Sequence, residues 1–157
     1  MDIQVAFLPG GHPTLMNYYP GIGIDAANAW YAGVHDAILW ASSGASQVAV
    51  RAHPWATGYT FSGIITAGPN LVIPSCPAGY FADNTYAPWN TSYTNAYTDN
   101  KNRAIMVHEL GHAMGLAHVD YDARCSAIMD KNVDPDFDYC HTYAPEWDDV
   151  FGIQALY

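Results

Sequence analysis

His108-Glu109-Leu110-Gly111-His112-Ala113-Met114-Gly115-Leu116-Ala117-His118 is the stretch that decides how the rest of the chain is read. On a helix, residues four apart project from one face, so His108 and His112 can present two imidazoles to a single cation. A straight helix would carry His118 away from them. Gly115 is placed to end the helix and turn the chain back, because glycine readily takes the left-handed conformation that closes helices. Three neutral imidazoles suit zinc and leave its fourth position open, as in catalytic sites. Glu109 neighbours a ligand without being one, within reach of a water at that open position. A single histidine would ordinarily be read as solvated or as a satisfied core residue. A chance match to the whole pattern at this composition is on the order of one in a hundred thousand, so the metal site is the better reading.

The stretch resembles the zinc motif of the metzincin metalloproteases, whose other mark is a methionine in a tight turn beneath the metal. Met129, in Ser126-Ala127-Ile128-Met129, is the candidate for that turn. The chain end, Asp148-Asp149-Val150-Phe151-Gly152-Ile153-Gln154-Ala155-Leu156-Tyr157, resembles the last helix of a matrixin catalytic domain. In that family the paired aspartates brace the methionine turn and the mature N-terminus. The resemblance is close over residues 108–157 and is one of element order before them.

This resemblance implies an α+β fold of the zincin/metzincin type. A twisted mixed sheet of about four to five strands would pack on a long N-terminal helix and on the zinc-binding helix. A small C-terminal subdomain would hold the Met-turn and the last helix. The implied activity is that of a zinc-dependent endopeptidase acting on proteins or peptides. His108, His112 and His118 would be its metal ligands and Glu109 its general base, with Met129, Gly115, Asp148 and Asp149 in supporting roles. Asp130-Lys131 departs from the family, which usually has an aromatic residue and then proline after the methionine. The alternative from another class is a non-catalytic binding module that keeps the fold. Such modules usually lose the glutamate or a ligand, and neither is lost here.

At 157 residues, half of them hydrophobic, the chain can bury one sizeable core. No internal repeat or charge-rich linker divides it, so a single catalytic domain is expected, with an upper subdomain over about 1–117 and a lower one over about 118–157. Five basic against fifteen acidic residues give a net charge of −10, which excludes a basic nucleic-acid or membrane-binding patch. No apolar run reaches membrane-spanning length. Nucleic acid and membrane insertion are therefore not expected, and the resemblance implies protein or peptide substrates met by a monomer. A secreted location is expected, although Met1-Asp2-Ile3-Gln4 lacks the basic and apolar regions of a signal peptide.

Cys125 and Cys140 flank one loop, and a disulfide between them would contribute roughly 3 kcal/mol in the chain-entropy model. Cys76 would then be unpaired; the other reading is three reduced thiols in a cytosolic protein. Asn90-Thr91-Ser92 is a glycosylation sequon, a pattern common by chance.

Residues 3–8 alternate as a strand. Asp25 can cap a helix running to about Ser42, with Ala27, Trp30, Val34, Ala37, Ile38 and Ala41 on its inner face and Gly44 at its end. Residues 48–52 alternate again, parallel to the first strand and stopped by Pro54. Two more strands are expected over 59–67 and 70–74, one of them a substrate-binding edge, and then a loop over 76–98. Asp99 or Asn100 would cap the zinc helix. Asp120 or Asp122 is a candidate support for a ligand imidazole. The alternating Asp130, Asn132, Asp134, Asp136 and Asp138 make calcium a second candidate cofactor, although Pro135 stands where the EF-hand pattern needs glycine. Read as a loop lining the substrate pocket, residues 130–144 offer Val133, Phe137 and Tyr139 as apolar walls. In the last helix, Trp147, Val150, Phe151 and Gln154 form the expected inner stripe.

Overall fold

The computed structural model describes residues 2–7, 18–33, 38–42, 48–53, 62–64, 66–67, 85–120 and 125–156. In chain order they form β1 (Asp2–Phe7), α1 (Tyr18–Gly33), β2 (Ile38–Ser42), β3 (Val48–His53), β4 (Thr66–Ala67), β5 (Thr85–Asn90), α2 (Thr91–Thr94), α3 (Asp99–Ala113), α4 (Val133–Cys140) and α5 (Trp147–Leu156). The strands make one mixed sheet in the order β2-β1-β3-β5-β4. All neighbours are parallel except β4, which runs antiparallel to β5 at the edge. This is the α+β class expected from the sequence.

α3 is the spine. From Ala104 to Gly111 every residue is buried, so this helix is wrapped on all sides instead of lying on the surface. Thr98 caps it, its hydroxyl accepting from the Lys101 N–H at 3.3 Å, and Asp99 in the first turn complements the positive end. The cap therefore falls one residue before the Asp99 or Asn100 expected. Two tryptophans fasten the spine to the upper elements. Trp30 of α1 donates to the Val107 carbonyl at 2.8 Å, and Trp89 of β5 donates to the Asn102 carbonyl at 2.9 Å. Both rings are fully buried, which places Trp30 in the core as its stripe suggested. Their N–H groups need such partners when they leave water.

Three expectations for the upper half are corrected. The helix begins at Tyr18, ends at Gly33 and contains Asp25 within it, while Ile38–Ser42 is a strand paired with β1. A short apolar run bounded by turn residues cannot be told from buried helix by period alone, and pairing with β1 settles it. Residues 85–90, read as loop, form β5 between β3 and β4. Pro88 obscured it, since a proline donates no ladder hydrogen bond and argues against an inner strand. Asn90 is fully buried and accepts from the Ser92 N–H at 3.2 Å as the cap of α2, so the sequon asparagine is turned inward. Residues 70–74 and Cys76 lie outside the described residues.

Below α3, residues 133–140 are helical where a loop was expected. Pro135 fits because it stands in the first turn, where a missing N–H costs nothing. Val133 and Phe137 pack on the core, Tyr139 is exposed and Asp136 is buried, so the alternating apolar wall does not form. Cys125 and Cys140 are joined, with Cα atoms 5.5 Å apart, tying the end of α4 to the segment before Met129. In α5 the inner residues are Asp149 and Ile153, with Val150 half-buried. Trp147 and Phe151 are left outside in an edge-to-face pair 5.9 Å apart.

Candidate metal centre

α3 ends in a way that delivers the third histidine. Gly115 has φ 99°, and the N–H groups of Gly115 and Leu116 return to the carbonyls of His112 and Gly111 at 2.9 and 3.0 Å. These paired bonds satisfy carbonyls that the helix end would orphan and reverse the chain beneath it. His118 then faces the two helical histidines. The three Nε2 atoms lie 3.0 to 3.1 Å from one another.

The tautomers follow from the other ring nitrogens. His108 Nδ1 faces the Ile128 carbonyl and His112 Nδ1 faces the Leu116 carbonyl, each at 2.8 Å. A carbonyl only accepts, so both Nδ1 atoms carry the proton and both Nε2 lone pairs point inward. Burial, reinforced by the neighbouring His112, holds His108 down to about 3. His112 and His118 are lowered as well, burial being the first cause for each. With the lone pairs of His108 and His112 aimed inward and His118 Nε2 facing both, a cation between the three nitrogens would satisfy them together. A tetrahedral zinc with bonds of about 2.05 Å would set the nitrogens about 3.3 Å apart, so the socket fits that ion with a small expansion.

Glu109 is buried against α3's own neighbours, and burial pushes its carboxyl up to about 8. A dication in the socket pulls it back toward the carboxylate. Gly63, bridged to Trp89 at the sheet edge, leaves the room this side chain occupies. A Cβ on Gly63 would stand 2.8 Å from Glu109 Cγ and 2.9 Å from its Oε1.

Met129 is buried directly under the histidines' helix. Asp149 fixes its turn: the carboxylate accepts from the N–H groups of Ile128 at 2.8 Å, Met129 at 3.3 Å and Glu146 at 2.8 Å. Ile128 in turn holds His108, so a link runs from the last helix to a candidate ligand. Asp148 contributes its backbone, donating to the Ser126 carbonyl at 3.2 Å. The N-terminal residue that the family's aspartates brace lies outside the described residues.

Asp120 does not support an imidazole. It is exposed and bonds Lys131 Nζ at 2.8 Å, while Asp122 lies outside the described residues. The supports found instead are the carbonyls of Ile128 and Leu116. Sequence reading missed them because any residue supplies a carbonyl, so no side chain marks the position.

Among the described residues these three histidines form the one group of side chains placed to share a metal. Asp134 and Asp138 are engaged with Lys101, at 3.9 and 2.8 Å.

A histidine pair on a helix, a third histidine beyond a left-handed glycine and a buried methionine beneath define a metzincin-type site. The family model described as Matrixin matches residues 2–157, and the chain belongs to the matrixin family. That membership implies zinc as the metal. No curated protein matches the chain by sequence. A solved structure described as that of myroilysin aligns at 21% identity with a TM-score of 0.47, over 75% of this chain and 49% of its own. The chain thus spans about half the length of that neighbour. No helix among the described residues is long and apolar enough to cross a membrane.

Proposed function

We propose that this chain is the catalytic domain of a secreted zinc endopeptidase, monomeric and acting on protein or peptide substrates. The upper subdomain covers about 1–117 and the lower about 118–157. The observation that carries this reading is the triangle of Nε2 atoms at 3.0 to 3.1 Å with Glu109 buried beside it. His108, His112 and His118 would hold the ion, and the Met129 turn would support them from below. Bound zinc would supply Lewis-acid chemistry, polarising a scissile carbonyl and acidifying water near neutral pH.

Glu109 is the general base of this scheme. It takes the proton of the attacking water and delivers it to the leaving amine. Its buried setting keeps bulk water from competing for that proton. The sheet edge at Gly63 lies against Glu109, so a peptide adding to that edge as a further strand brings its backbone beside the base. Aligning the bond in this way lowers the entropic part of the barrier.

The Cys125–Cys140 bond agrees with an oxidising, extracellular compartment. Calcium is the second candidate cofactor of this reading; in the acidic helix Lys101 lies 2.8 Å from Asp138 and 3.9 Å from Asp134. Incubation of an unbiased peptide mixture with and without a chelator, with cleavage sites read by mass spectrometry, tests the function. Cleavage abolished by the chelator and restored by zinc is expected. A chain that holds zinc and cuts nothing would be a binding module instead.

A further inference from the structure

The edge of the sheet beside Glu109 is longer than β4 itself. Gly63 bridges Trp89, Thr66 pairs with Tyr86, Ala67 pairs with Thr85, and the Asn90 N–H donates to the Ser62 carbonyl at 2.7 Å. All four pairings share one antiparallel register along β5. Among the described residues no strand pairs with the outer side of this edge.

At its Ser62 end the edge is closed from the side. The Ser62 hydroxyl donates to Asp134 Oδ2, joining the sheet edge to α4, the helix that follows the Met129 turn. Asp134 is held in place for this contact. The Tyr97 hydroxyl donates to the same oxygen at 3.4 Å, and Lys101 Nζ lies 3.9 Å from Oδ1. Lys101 is itself fixed, bonded to both Asp138 oxygens at 2.8 Å and seated over the Tyr97 ring at 4.5 Å.

We propose that Ser62 and Asp134 form a gate across one end of the substrate groove, which sets how far a bound peptide extends past the cleaved bond. The inference rests on the peptidase reading. Lys101, Ile105 and Glu109 stand at successive four-residue steps along one face of α3. Gly63 touches the last two and Ser62 is its neighbour, so the gate lies between one edge residue and two helical turns from Glu109. That is roughly 3 to 12 Å, the span of about one to three extended residues. A strand added antiparallel to the edge has its C-terminal part at Ser62, so the limited side is the one after the scissile bond. The gate is a small cluster of side-chain hydrogen bonds joining Ser62, Asp134 and Tyr97, and longer peptides open it at the expense of binding.

The test measures kcat and KM for zinc-loaded protein on peptides that share the residues around the cut and carry one to six residues after it. Wild type should show KM rising once about three residues follow the bond. Ser62→Ala and Asp134→Ala each remove the bond, and either should lower KM for the long peptides by roughly fivefold, with kcat and the short peptides unchanged. Ser62→Thr keeps a hydroxyl and should keep the wild-type profile. Zinc content and melting temperature report folding, and the Asp134 variant decides if the Ser62 variant does not fold. One length dependence shared by wild type and both alanine variants overturns the gate alone, as does an equal loss of kcat on every peptide. Failure of zinc-loaded wild type to cut any peptide overturns the peptidase reading and the gate together.

Discussion

Gly111 and Met129 touch where no side chain larger than hydrogen fits. A Cβ at position 111 would overlap Met129 Sδ and stand 3.0 Å from Trp30 Cζ2, both fully buried and unable to withdraw into solvent. The helix that carries His108 and His112 is thus seated on the methionine turn through a glycine. Gly111 lies between His108 and His112 in sequence, and its smallness sets how closely α3 approaches Met129.

Gly111→Ala is accordingly expected to destabilise the fold by about 1–3 kcal/mol, the usual cost of overpacking a core. Gly21→Ala is the control: nothing lies within 4 Å of a Cβ there, and the position is exposed in α1. It should stabilise by about 0.4–1 kcal/mol through a less flexible unfolded chain. Denaturant midpoints for the two variants check both signs. Equal effects would mean that the Met129 contact is not tight.

The site's local features were legible because each rests on neighbours in sequence. Helical spacing aligns His108 with His112, and Gly115 takes the left-handed turn within the next residues. What sequence could not show was decided by partners far along the chain. Ile38–Ser42 is a strand because β1 pairs with it, and residues 85–90 are an inner strand in spite of Pro88 because β3 and β4 pair with them from both sides. The inner face of α5 was misread: of the expected stripe only Val150 packs on the core, Gln154 is exposed, and the buried residues are Asp149 and Ile153. The apolar stripe predicted Trp147 and Phe151 inside, but the N–H groups of Ile128, Met129 and Glu146 draw Asp149 inward and leave both aromatics exposed.

The three-nitrogen socket predicts that purified protein carries one zinc and that His112→Ala does not retain it. Elemental analysis decides this, and undiminished zinc in the variant would remove His112 from the site. Chelation should also lower the melting temperature of wild type, because an ion bound only by the folded state stabilises it.

Glu109 should separate chemistry from structure. Glu109→Ala is expected to keep zinc and fold while losing cleavage by roughly 10²-fold or more. Gly63→Ala moves the same carboxylate by crowding it, and should lower kcat with zinc content unchanged. Near wild-type turnover in Glu109→Ala would sink the general-base assignment.

Removing the disulfide with the double change Cys125→Ser, Cys140→Ser should cost about 3 kcal/mol, as expected for a loop of this length. Non-reducing peptide mapping of wild type should recover the two cysteines in one cross-linked fragment. Two free thiols after oxidation would contradict the bond.

Asp149 gives the lower half a pH dependence with a definite sign. Burial raises its pKa to about 6, against the opposing pull of the Ile128, Glu146 and Met129 N–H groups. The folded state therefore holds a proton on Asp149 over a range in which the unfolded chain has lost it. A group with a raised pKa contributes its stability fully below the unfolded value of about 3.9 and loses it as pH rises through the folded one. The contribution should accordingly fade between about pH 4 and pH 6, by no more than about 3 kcal/mol. Asp149→Asn cannot titrate; it should be less stable at low pH, since its amide N–H₂ meets the donors that the carboxyl accepts. Its stability curve should nonetheless be flatter than wild type across that window. Urea midpoints at half-unit steps from pH 4 to pH 7 measure the difference. A wild-type curve that climbs relative to the variant over this range would mean that the three N–H groups outweigh burial and that Asp149 is a carboxylate throughout.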